Sequence, residues 1–321
     1  MLCLFLLRSI AKVKNIINLL FVGLLWICSI DAYESLHDIE LTHLENVISD
    51  GENQLLVTQR VNDYDIVFYY IKNGKIVHQW EVLQGKGPGE IMDNSPVIKV
   101  DWHHGRVYIS DNNLTKIVQY SLSGNYVDDL MFSTAIGDFF MYKDRWVIQN
   151  GSLLGYDFIE IKNNQVVEEF GRYNKALKHI DKLIGQRIYM KSILLHDTLY
   201  YICGEEIALT AINLNTKKQE SYNLNQILKK EKIKLSPYIK VKKADYKATR
   251  FWYEDMYQLK EQLWICLYGP DTQSHFLVYD SNIKKFSLII VNKTNVKPLM
   301  INSEIHYVYL DENRLKFERI E

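Results

Sequence analysis

The chain of 321 residues carries 38 Lys and Arg against 39 Asp and Glu, a formal net charge of -1, so no overall positive field draws it to nucleic acid. A hydrophobic share of 47% beside 24% charged residues excludes a disordered or wholly membrane-embedded chain and allows a large core. The 22 Tyr and only 5 Pro favour strands, because aromatic side chains suit a pleated, half-buried surface and Pro cannot donate to a sheet ladder.

Residues 1–32 hold Arg8, Lys12 and Lys14, then the apolar run Ile16 to Ile27, with no acidic residue before Asp31. That is the order of a secretory signal. The run is shorter than the roughly 20 residues that span a bilayer, so export to the periplasm or outer membrane is expected, with the membrane touched only through an N-terminal anchor. Two processing sites are open: cleavage after Ala32, or lipid attachment at Cys28 in "LLWICS". The rest, 33–321, reads as one domain. Its first segment, "DIELTHLE" at 38–45, is strand-like and has no repeat of its own.

From there an internal repeat governs the chain. A polar turn followed by a short β-type run recurs as "GENQLLVTQ", "HHGRVYISD", "YKDRWVIQN", "LHDTLYYIC", "LKEQLWICL" and "INSEIHYVYL", six copies in all. Their apolar runs begin at Leu55, Val107, Trp146, Leu199, Leu263 and Ile305, so the spacings by subtraction are 52, 39, 53, 64 and 42 residues. Propeller blades of about 40 to 50 residues match that period. A hairpin follows most copies, as in "DIVFYYIKNGKIVHQWEV", where Asn73-Gly74 supplies residues that tolerate positive φ. A shorter run precedes each copy, as in "PVIKVDW" and "DFFMYK". Four strands per repeat give an all-β, six-bladed β-propeller of four-stranded antiparallel blades.

Two segments depart from the period. Residues 224–250, "LNQILKKEKIKLSPYIKVKKADYKATR", lengthen the link between repeats four and five and carry nine Lys or Arg against two acidic residues. A short helix ending before Pro237, then a solvated loop, is expected there. The last copy ends with "RLKFERIE", one strand short, and "DIELTHLE" is the expected outer strand that completes its blade and closes the ring. Cys203 and Cys266 sit inside apolar strands, where the expected role is that of small buried hydrophobes, and no metal-type cysteine pair exists.

After the first hairpin the chain reads "QGKGPGEIMDNSPVIKVDWHHGRVYISDNNLTKIVQYSLSGNYV". The stretch Gly85-x-Gly87-Pro88-Gly89-Glu90, the Asp111 that ends the second strand, and the Lys116-to-Tyr120 third strand resemble the six-bladed propellers common in Bacteroidetes, related to NHL-type and TolB-like propellers. The resemblance covers about 50 residues and implies fold and export more than activity. On physical grounds the glycine stretch is a sharp connector, with Pro88 stiffening it, Glu90 fixing the loop and Asp111 capping a turn. No P-loop Lys-Ser/Thr pair follows the glycines, so anion binding is not expected of them.

Catalysis has no motif here: there is no G-x-S-x-G elbow, HExxH helix or zinc-type pairing. Related propeller enzymes hold a metal in the central channel with ligands dispersed over the blades. Asp101, His103, Asp138, His196, Asp255 and Glu304 lie on or near expected inner strands and are the candidates for such a set. His103 and His104 are adjacent in a turn and are expected to point apart. The leading expectation is a monomeric, exported cell-envelope binding or scaffolding module without a cofactor, with a protein, peptide or glycan partner. The alternative is a hydrolase or lyase with a divalent cation such as calcium in the channel.

Overall fold

A computed structural model of the chain describes residues 41, 44–61, 65–150, 155–174, 190–203, 206–230, 253–267, 273–293, 296–312 and 314–320. The expected export signal, with Cys28 and Ala32, lies outside the described residues.

The strands fall into six antiparallel sheets in chain order. Blade 1 holds β1 (Leu44–Ser49), β2 (Gln54–Val61), β3 (Asp65–Lys72) and β4 (Lys75–Val82). Blade 2 holds β5 (Ile98–Asp101), β6 (Arg106–Asp111), β7 (Lys116–Ser121) and β8 (Tyr126–Met131). Blade 3 follows with β9 (Ile136–Tyr142), β10 (Arg145–Asn150), β11 (Gly155–Lys162) and β12 (Gln165–Asn174). In blade 4 are β13 (Met190–Leu195), β14 (Thr198–Cys203), β15 (Glu206–Asn213) and β16 (Gln219–Asn223). Blade 5 has β17 (Tyr253–Leu259), β18 (Gln262–Leu267), β19 (Ser274–Asp280) and β20 (Lys285–Val291). Blade 6 has β21 (Lys297–Ile301), β22 (Glu304–Asp311) and β23 (Arg314–Arg319), three strands among the described residues.

Each recurring apolar run of the sequence is the second strand of a blade, paired on both sides and therefore buried. Tight turns set the registers. Asn73 and Gly74 (φ 51° and 71°) and Asn163 and Asn164 (φ 51° and 61°) take the left-handed conformations that a two-residue hairpin loop requires.

Six apolar clusters hold the blades together, one at each interface. Phe68, Val82 and Val107 pack between blades 1 and 2, and Phe139, Ile148 and Ile117 between 2 and 3. Val147, Phe158, Leu199 and Tyr201 join blades 3 and 4, and Leu209, Leu263 and Tyr279 join 4 and 5. Trp264, Phe276 and Tyr307 fill the 5/6 interface, where Cys266 packs as a small apolar side chain. The sixth cluster, with Leu55, Val57, Leu299, Val308 and Leu315, lies between blades 6 and 1 and closes the ring. Hydrogen bonds from Ser303 N to Gly51 O (2.8 Å) and Asn302 N to Glu52 O (2.6 Å) reinforce that seam.

The start of the fold differs from expectation in one respect. Leu44 and Glu45 belong to β1, the inner strand of blade 1, so "DIELTHLE" is not a separate outer strand over its whole length. The cause is pairing: from Asn46 to Ser49 the backbone runs in continuous antiparallel register with Leu55 to Thr58, giving the first repeat the inner strand that the others have. Leu41 is fully buried in the 6/1 cluster, and the other residues of 38–43 lie outside the described set.

Because all inner strands run in one direction, the turns between first and second strands share one face of the ring with those between third and fourth strands. Blade-to-blade connections lie on the opposite face, and with them the Gly85–Glu90 stretch. Helix α1 (Leu224–Lys230) follows β16, and its buried Leu224 and Leu228 join the 4/5 cluster. The rest of the basic insertion lies outside the described residues, as does the side chain of Cys203. Among the described residues no helix is long and apolar enough to cross a membrane.

Candidate functional site in the central channel

The glycine stretch forms a self-contained hydrogen-bonded loop. Glu90 Oε2 accepts from Gly87 N at 2.7 Å, and a Cβ at Gly85 would overlap that carboxylate. Gly89 has φ 78°, and its carbonyl accepts from the Tyr120 hydroxyl at 2.8 Å. Of the three glycines only Gly89 takes a left-handed backbone; at Gly85 the requirement is room for Glu90. Lys116, almost wholly buried, donates to Gly87 O (3.2 Å) and pairs with Asp129 (2.8 Å). Burial pushes the Tyr120 phenol up to about 12, and the nearby Asp129 charge adds to this. Asp111 accepts from Met92 N (2.6 Å) and Leu114 N (3.0 Å), tying the connector to the turn after β6. Pro88 is exposed.

The axis of the ring has a different chemistry. Each inner strand brings a charged residue to the interface with a neighbouring blade, and the signs alternate: Glu45, Lys99, Asp138, Lys191, Asp255, Lys297. Lys99 pairs with Asp138 at 3.0 Å across blades 2 and 3. Lys191 pairs with Asp255 at 3.1 Å across blades 4 and 5. Between blades 6 and 1, Lys297 Nζ donates to the main-chain oxygen of Glu45 at 3.0 Å, while the Glu45 carboxylate takes Arg60 at 2.6 Å. Asp138 is buried and also accepts from Ser192 Oγ (2.8 Å) and Phe139 N (2.8 Å). Lys99 further lies 4.4 Å from the centroid of the Phe140 ring.

The six dispersed candidates are not brought together. Asp138 and Asp255 are on inner strands, each already bound to a lysine. Asp101 holds its own turn, accepting from His104 N (3.0 Å) and Nδ1 (2.7 Å); burial works to raise its carboxyl, and these hydrogen bonds outweigh it and hold it below the ordinary value. His103 is exposed on that turn, and its ring meets His104 edge to face at 4.7 Å, because turn backbone does not send successive side chains apart as a strand does. His196 faces Glu261 at 2.9 Å in the turns of blades 4 and 5, and Glu304 pairs with Arg319 at 3.0 Å. Among the described residues no three His, Cys, Asp or Glu side chains converge as a metal site. The lysines, and with them the alternation, went unread in the sequence; the available signal was a charge near the start of each short inner run, blurred by a second one in β5 and β17.

Toward the turn face the channel opens into a cavity of about 920 Å³ lined by all six inner strands. Apolar and aromatic residues such as Val47, Val100, Phe140, Ile193, Tyr257 and Leu299 line it, and nearly half of the exposed wall is polar. Trp102, Tyr108 and Trp146 contribute ring surface, and Asp50, Asp101, Lys99 and Lys260 are the charged members.

No protein-family model matches the chain, and no curated protein matches it in sequence. Solved structures do match in shape. A protein of Bacteroides fragilis named as exported aligns with a TM-score of 0.55 at 12% identity, covering 88% of this chain and 92% of its own. A member of the DUF4221 family from Bacteroides vulgatus aligns with a TM-score of 0.54 at 10% identity, covering 87% and 92%. At such identities the likeness concerns the fold, which is that of a six-bladed β-propeller over nearly the full length of both relatives.

Proposed function

We propose that this protein is an exported binding module of the cell envelope, of the NHL-like or TolB-like kind, whose ligand site is the cavity at the centre of the ring. One observation carries the reading: a cavity of about 920 Å³, lined by side chains from every blade, apolar and aromatic ones among them, has the size and lining of a ligand pocket. The channel carboxylates favour binding over metal-assisted hydrolysis, since Asp138 and Asp255 each hold a lysine ammonium where a cation would have to sit. Export rests on the charge-then-apolar order of residues 1–32.

The test is native mass spectrometry of the full chain after incubation with a solvent extract of envelope fractions, beside Ile193→Trp, which places an indole in the cavity. A bound small-molecule mass is expected on the natural chain and lost from the variant, with both unfolding at similar urea concentrations. A mass retained equally by both would place the ligand elsewhere and overturn the reading.

A further inference from the structure

Fixed charge is unevenly placed on the cavity wall. Lys99 is matched by Asp138 at 3.0 Å. Asp50 accepts from Glu52 N (2.8 Å), Gln54 N (3.0 Å) and Gln54 Nε2 (2.7 Å), and Asp101 from His104 N (3.0 Å) and Nδ1 (2.7 Å). Amide donors fix these two carboxylates in place without cancelling their charge, and a neutral imidazole does no more. Against them the lining sets one lysine without an ion-pair or hydrogen-bond partner among the described residues, the exposed Lys260 in the turn between β17 and β18. Lys260 belongs to blade 5, which stands across the six-membered ring from blade 2 and its Asp101. The carboxylates and the lysine are thus on opposite sides of the channel.

The negative side is also the aromatic side. Asp101 directly precedes Trp102, whose ring meets Tyr70 at 6.5 Å. Asp50 lies near enough to Tyr70 for its charge to add to the rise that burial causes in that phenol. At Tyr108, burial and then the Asp101 charge raise the phenol against the pull of Arg106, and its ring packs edge to face on Trp146 at 5.5 Å. Trp102, Tyr108 and Trp146 are half-buried and line the cavity. Aromatic faces beside uncompensated carboxylates attract a cation. The same wall already shows the contact, since Lys99 Nζ lies 4.4 Å from the centroid of Phe140. The kind of cation follows from the hydrogen bonds. A primary ammonium gives up its bonds to water and needs acceptors in exchange, while both carboxylates have much of their accepting capacity taken by their own turns. A quaternary ammonium donates none, and its methyl groups can rest on ring faces.

We propose that the channel binds a ligand bearing a quaternary ammonium group, received at the wall formed by Asp50, Asp101 and Trp102 and kept from the opposite wall by Lys260; the assignment rests on the channel being the ligand site. Titration of the full chain at pH 8 with choline, with its uncharged isostere 3,3-dimethylbutan-1-ol and with ethanolamine tests it by calorimetry and by the emission of the cavity tryptophans Trp102 and Trp146. Choline is expected to bind about tenfold more tightly than the isostere and about threefold more tightly than ethanolamine. Lys260→Glu is expected to tighten choline about two- to fivefold, leaving the isostere and thermal unfolding unchanged. Trp102→Leu is expected to weaken choline about three- to tenfold. An isostere or ethanolamine that binds as tightly as choline overturns the proposal, and so does a choline affinity that Lys260→Glu does not move. If choline fails while an envelope-derived mass is still displaced by Ile193→Trp, the ammonium ligand falls and the channel site stands. If neither is seen, both fall.

Discussion

At Gly85 the backbone leaves room for the Glu90 carboxylate and for little else. A methyl group there overlaps Glu90 Oε2, so Gly85→Ala must expel the carboxylate from Gly87 N and strip that amide of its partner. The expected cost is about 1–3 kcal/mol, the range for a lost buried hydrogen bond with local strain. In a Glu90→Ala background the obstacle is gone, so the same Gly85→Ala change should cost under about 0.5 kcal/mol, a coupling that urea midpoints of the four proteins measure. Additive costs would mean that Gly85 is needed for another reason. The sequence made the tight connector visible through its glycine spacing, yet it could not show that a side chain three residues past Gly87 is what excludes a Cβ at Gly85. The inner-strand charges were hidden for a related reason: Lys99 and Asp138 are neighbours only because two blades stand side by side, and "IKVD" or "GDFF" read singly carries no sign of it.

Among the elements, the second, third and fourth strands were legible because turn residues punctuate them and their apolar runs repeat. Inner strands were harder to read. β5 has only four residues, and β1, "LENVIS", interrupts its apolar positions with Glu45 and Asn46, so its first residues merge into the segment read as an outer strand. The consequence bears on ring closure. Blade 6 has three described strands, and Leu41, three residues before β1, is fully buried between blades 6 and 1. Phe132 occupies a corresponding place, four residues before β9, in the 2/3 cluster. The outer strand expected of residues 38–45 falls mostly outside the described residues, and truncation tests it. Leu41→Ala should destabilise the fold by about 2–5 kcal/mol, as for a fully buried leucine. A chain beginning at Leu44 should lose more, through loss of strand pairing as well, and should expose β23 as an edge that promotes self-association. Unfolding curves and sedimentation of the two variants provide the comparison; a Leu44 start that matches Leu41→Ala in both would remove the closing strand from the account.

For the whole molecule, the shifted imidazoles and carboxylate predict two separate acid transitions. His275 in β19 and His306 in β22 are half-buried, and burial holds both below the ordinary imidazole value. At His306 the neighbouring Glu304 works the other way and Arg319 adds to the lowering. At His275 a main-chain hydrogen bond with Gln273 works against burial without overcoming it. With a folded pKa below the unfolded one of about 6.5, the unfolded chain binds more protons as the solution is acidified. Stability is therefore fully present above about pH 7 and declines as pH falls through about 6.5 toward the folded values. Asp101, held below the ordinary carboxylate value, contributes in a lower window: its stabilisation is present above about pH 4 and is lost only as pH falls through its folded pKa. Urea midpoints at pH 8, 6.5, 5 and 3.5 should thus show one decline between the first and third values and a second below about pH 4. His275→Gln combined with His306→Gln should flatten the first decline and leave the second in place. Equal midpoints at pH 8 and 5 in the natural chain, or an unchanged slope in the double variant, would show that these two imidazoles do not link the ring to pH.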